Sequence, residues 1–124
     1  MKTLFRLIIA LNLVLLVAVH SQAQTIKSGT IRGASVSWTT GSASIVKAGN
    51  RHELRLGSNF KTKSGPSLWV YLGNNGPEKR IGKLKSINGA QTYKLPASIN
   101  PKNYSKVYIH CVPFNATFGI GMLN

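Results

Sequence analysis

Apolar residues in this chain alternate in short runs, and turn residues stop each run before a sustained helical period can form. Ser67-Leu68-Trp69-Val70-Tyr71-Leu72 is the strongest run: in an extended strand Leu68, Val70 and Leu72 share one face, and Trp69 and Tyr71 the other. Gly73-Asn74-Asn75-Gly76-Pro77 then ends it as a turn. The same pattern predicts strands over residues 35–38, 44–47, 51–56, 81–87, 91–95, 106–112 and 118–122. Asn88-Gly89 is a favoured hairpin dipeptide, so the strands on either side of it are expected to pair. Pro113 is expected to end or bulge its strand. Short strands at intervals of roughly 8–12 residues predict an all-β fold, a sandwich or barrel, which we take as a single small antiparallel β-sandwich.

The N-terminus predicts export. Met1-Lys2-Thr3-Leu4-Phe5-Arg6 is a short basic start, and residues 7–19 are apolar except for Asn12. Ser21 and Ala23 then place small residues three and one positions before Gln24, as at a cleavage site. The apolar run is 13 residues long, well short of the ~20 that a helix needs to cross a bilayer. A signal peptide over residues 1–23 is therefore preferred to an anchor, leaving residues 24–124 as one domain, periplasmic or extracellular. A chain of that size can bury a core without disulfides.

Charge restricts the chemistry. The chain carries 16 Lys and Arg against two acids, Glu53 and Glu78, for a net charge of +14. Loss of Lys2 and Arg6 with the signal peptide leaves +12. Such a field favours an acidic redox protein or an anionic surface, and otherwise only keeps the protein soluble. Basic residues thicken at Lys79-Arg80, Lys83 and Lys85. Two carboxylates in different segments give poor material for paired-carboxylate hydrolysis or for a calcium site. No His-x-x-x-His, CxxC, Gly-rich phosphate loop or nucleophile elbow occurs.

Cys111 is the only cysteine, so no internal disulfide can form. Alternation puts it on an aliphatic face with Val107 and Ile109, while Tyr108, His110 and Val112 take the opposite face. On pattern alone it is a small core residue. The positive field would favour its thiolate if the sulfur reached solvent. His52, His110, Cys111 and Met122 match the composition of a His₂Cys copper site with a long axial Met. Their spacing gives that reading no support, because His110 and Cys111 point apart in a regular strand.

Three ordered motifs resemble a known family. Phe60-Lys61-Thr62-Lys63-Ser64-Gly65-Pro66-Ser67-Leu68-Trp69-Val70-Tyr71-Leu72 resembles the F-x-T-x-x-G-P-D-L-x-V-Y-L stretch of electron-transfer DM-thirteen domains. Leu84-Lys85, Gly89, Gln91-Thr92-Tyr93 and Leu95-Pro96 resemble a second segment of that family. Tyr104, residues 107–114 and Phe118-Gly119 resemble its ending. The likeness runs from about Gly29 to Leu123. It implies an extracytoplasmic β-sandwich related to DOMON domains. It also implies that Cys111 acts as a redox thiol or as a ligand to a prosthetic group such as haem. Two residues depart from the pattern: Ser67 stands where the family has Asp, and His110 where it often has an aromatic such as Trp. At that departure His110 is a weaker candidate, for a second haem ligand or a proton acceptor. Gly65-Pro66 and Gln91-x-Tyr93 read equally well as structural features. The expected function is electron transfer or thiol redox through Cys111. The alternative is a non-enzymatic basic module that binds an anionic envelope or polymer partner.

Overall fold

Alternating burial along the chain organises the structure, a computed structural model that describes residues 22–34 and 36–124. The expected signal peptide therefore lies almost wholly outside the described residues. Nine strands follow in order: β1 (Gln24–Gly33), β2 (Thr39–Ala48), β3 (Arg51–Leu56), β4 (Lys61–Thr62), β5 (Leu68–Gly73), β6 (Pro77–Lys83), β7 (Gln91–Lys94), β8 (Lys106–Cys111) and β9 (Ala116–Met122). A short 3₁₀ turn, Pro101–Asn103, precedes β8, and the Asn100 side chain caps it by accepting from the Lys102 amide.

All the strands belong to one antiparallel sheet, in the order β6-β5-β8-β9-β1-β2-β3-β7, with β4 beside the start of β2. The fold is all-β and antiparallel, as expected. Its two halves are continuous through the β1–β9 pair rather than separate sheets. The edge strands β6 and β7 do not pair, but Tyr93 on β7 packs against Gly82 on β6, and the sheet curls into a nearly closed barrel. Inside are Ile45, Leu54, Val70, Leu72, Val107 and Ile109, none with exposed surface. Burying each such side chain contributes roughly 1.5–3 kcal/mol.

Four local expectations are corrected. The strand read over residues 81–87 runs instead over Pro77–Lys83 and leaves 84–87 in the β6–β7 connection. Residues 36–38, read as strand, lie in the β1–β2 connection, where the Ser37 amide donates to Ala34 O at 3.1 Å. The ten-residue β1 was not expected at all, because it is mostly polar and only Ile31 is fully buried in it. Gly29 lies where β9 ends: a Cβ there would sit 1.6 Å from the Met122 carbonyl oxygen. The Asn88-Gly89 turn exists, with Gly89 at φ 86°, but its flanks do not form a hairpin. β6 pairs with β5, and β7 with β3. The turn docks instead on the β3–β4 connection, with the Gly89 amide donating to Phe60 O at 2.8 Å.

This topology gives the barrel two distinct ends. Connections 34–38, 63–67, 84–90 and 112–115 gather at one, the cysteine end. The other holds the β2–β3 and β5–β6 hairpins and the C-terminal Asn124, whose backbone pairs with Ser28.

Candidate functional site

Cys111 is the last residue of β8, just before the turn into β9. Its sulfur faces the core with Val107 and Ile109 and has 0 % exposure. Across the ladders its register partners are Leu68 on β5 and Ala116 on β9. Gly65 lies tightly against two apolar neighbours at this end: a Cβ there would fall 3.1 Å from a Phe118 ring carbon and 3.2 Å from Leu68 Cδ2. The Val112 amide donates to Ser67 O at 3.0 Å, which ties the Gly65-Pro66-Ser67 loop to the residue after the cysteine. Segments far apart in sequence thus meet at the end of the barrel that holds the sulfur.

A polar clamp holds the same end. The Thr39 hydroxyl donates to Phe118 O at 2.9 Å, and the Thr62 hydroxyl stands 2.8 Å from Thr39 Oγ1, where it serves as the donor. Both threonines are buried. Gly119 leaves room for the clamp, since a Cβ there would meet the Thr39 side chain at 2.7 Å.

His110 occupies the opposite side of the sheet and is 7 % exposed. Its Nε2 lies 3.1 Å from Asn115 Oδ1, and its Nδ1 lies 3.1 Å from Thr117 Oγ1. In the neutral ring Nε2–H donates to the amide oxygen and Nδ1 accepts from the hydroxyl. Asn115 holds its place with φ 47°, a left-handed value that Asn tolerates. The Tyr71 ring meets the imidazole edge-on at 5.7 Å. Beside them Arg80 lies over Trp69 at 4.6 Å, and its Nε donates to the Tyr71 hydroxyl at 3.0 Å. The Trp69 indole N–H donates to Ser67 Oγ at 3.0 Å, so the serine at the family's Asp position still accepts a hydrogen bond. Sequence alternation turned Trp69 and Tyr71 outward, but nothing in it joined them to Arg80, whose register depends on a bulge between Val70 and Tyr71.

The structure does not bring the two predicted site residues together: His110 and Cys111 face opposite sides of β8. His52 and Met122 lie toward the other end of the barrel, paired with Lys47 and Lys106, so the copper set is dispersed. No group of three or more His, Cys, Asp or Glu side chains gathers among the described residues. Nor do the residues around Cys111 fit haem ligation. Its sulfur has no exposed surface, and the side chains around it are apolar.

The two acids also stand apart. Glu53 on β3 is held by Arg51 and Arg55, each at 3.1 Å, and is 11 % exposed. The Arg55 hydrogen bond, with the charges of both arginines, pulls its pKa below the ordinary value despite partial desolvation. Glu78 lies exposed on edge strand β6.

Gln91-x-Tyr93 proves to be a latch across the barrel seam. The Tyr93 hydroxyl accepts from the Lys85 amide at 2.9 Å and donates to Gln91 Oε1. The Gln91 amide donates to Ser86 O at 2.9 Å. Burial raises the Tyr93 phenol pKa, partly offset by the Lys85 hydrogen bond.

Fold and site together define a small antiparallel β-barrel domain whose single thiol is buried in the core at the end of β8. The chain belongs to the electron transfer DM13 family, whose model matches residues 31–122, from the inner residue of β1 to the end of β9. No curated protein and no solved structure matched the chain in the corresponding comparisons.

Proposed function

We propose that this protein is an exported, extracytoplasmic electron-transfer domain in which Cys111 is the redox group and the Gly65-Pro66 loop controls access to it. The convergence of the Gly-Pro loop, Leu68 and Phe118 at the end that holds the lone thiol carries the reading. A loop with few side-chain anchors lifts more readily than a core strand. Once exposed, the Cys111 thiolate attacks a disulfide on a partner. A mixed disulfide forms, the partner's S–S bond breaks, and its second sulfur leaves as thiolate. The net positive charge favours an acidic partner.

Oxidised glutathione tests this under native conditions, with intact-mass detection. The wild type should form an adduct at Cys111, and Cys111→Ser none. An adduct that forms only in denaturant makes Cys111 a core residue. The alternative, a basic binding module, rests on the net charge and requires no thiol chemistry.

A further inference from the structure

We infer that the cysteine end of the barrel is a docking surface for an anionic lipid bilayer, with Trp38 and Phe114 entering the headgroup region. Single exposed apolar side chains are ordinary on any protein surface. Here they are not scattered. Among the described residues the large exposed apolar side chains are Val36, Trp38, Ile87, Phe114 and Met122. All but Met122 lie on connections at the cysteine end. Phe114 is 69 % and Trp38 48 % exposed.

Backbone hydrogen bonds make these connections one surface. The Lys63 amide donates to Trp38 O at 3.2 Å, and the Thr62 amide to Ile87 O at 2.9 Å. The Val112 amide reaches Ser67 O, which brings in the turn that carries Phe114. A patch of this kind marks an interaction site, and tryptophan favours the boundary between apolar and aqueous phases.

Charge selects the partner. Arg32, Lys61, Lys63, Lys83 and Lys85 are exposed at this end. Both acids lie elsewhere: Glu53 within β3 beside its arginines, and Glu78 near the opposite hairpin. Between the loops runs a shallow groove of about 260 Å³, lined by Pro66, Ser67, Lys83, Lys85, Ser86 and Ile87. Lys83 and two hydroxyls beside an isoleucine suit a phosphate headgroup with its acyl chain close by, while Lys85 Nζ is held by Thr92 O and lies over the Tyr93 ring. A soluble polyanion would engage the lysines but leave Phe114 and Trp38 in water. A neutral bilayer would take the aromatics but leave the lysines without counter-charge. An anionic bilayer satisfies both.

This inference does not depend on thiol chemistry at Cys111. The test is co-sedimentation of the purified protein with vesicles of phosphatidylglycerol mixed into phosphatidylcholine, and of phosphatidylcholine alone. Binding is expected only to the anionic vesicles, falling as salt rises. A Trp38→Ser/Phe114→Ser double variant should lose about tenfold or more in vesicle affinity while keeping its retention on heparin. Lys61→Gln, Lys63→Gln and Lys83→Gln should weaken both, by roughly fivefold per lysine on vesicles. In a Trp69→Phe background the emission of Trp38 should shift to the blue on binding. The inference is overturned if the protein ignores anionic vesicles, if the Trp38/Phe114 variant sediments like wild type, or if Trp38 emission does not move.

Discussion

His110 and Cys111 are consecutive in β8 and point to opposite sides of the sheet. The imidazole is held by Tyr71, Asn115 and Thr117; the sulfur lies in the core beside Leu68. They therefore do separate jobs, and substitutions should separate them. Cys111→Ser puts a hydroxyl among apolar neighbours and is expected to cost roughly 1–3 kcal/mol, read as a lower midpoint in denaturant. His110→Ala should leave the reactivity of Cys111 with glutathione disulfide within a few-fold of wild type. Equal loss of thiol chemistry in both variants, with His110→Ala still folded, would contradict this separation.

Gly65 controls how closely its loop can lie. Adding a methyl there presses on Phe118 and Leu68 at 3.1–3.2 Å, and overpacking of this sort costs about 1–3 kcal/mol. Gly65→Ala should therefore speed native-state alkylation of Cys111 more than its loss of global stability explains. Labelling that tracks stability alone would show that the thiol is reached by global unfolding.

Glu53 predicts an acid-limb effect. A carboxyl held below its ordinary value of 4.5 stabilises the fold above that pH, and the contribution is lost as pH falls through the folded pKa. Glu53→Gln should be less stable than wild type at neutral pH, and the two curves should converge as pH falls through the folded pKa, which lies below 4.5. Parallel curves from pH 7 to pH 3 would remove the arginine pairs from the account.

Tyr93→Phe deletes one hydroxyl with two duties, accepting from the Lys85 amide and donating to Gln91. The loss should be about 1–3 kcal/mol. Hydrogen exchange should accelerate most at Lys85 and Ser86, the backbone held by the latch. Uniform acceleration across the barrel would show that the seam has no independent opening.

Much of the fold was readable because its core strands alternate plainly: residues 68–72 and 106–111 show their inner faces in sequence. β1 was not, because its inner positions include Gly29 and Lys27 and a bulge after Thr25 interrupts the period. Asn88-Gly89 correctly marked a turn, but a dipeptide specifies local backbone and not which strands pair. The side of the sheet that Cys111 faces followed from alternation. Its complete burial did not, since that depends on β5 and β9 pairing with β8 from other parts of the chain. The Arg80 stack over Trp69 was hidden for the same reason.

The β1–β9 pair joins the first strand to the last, with Ile31 opposite Gly121. A nascent chain therefore has no means of completing the sheet early. Until β9 has been made, β1 lacks one neighbour and β8 shows an open edge. Pairings this distant along the chain are slow to form, so the barrel can close only once the whole domain has left the ribosome.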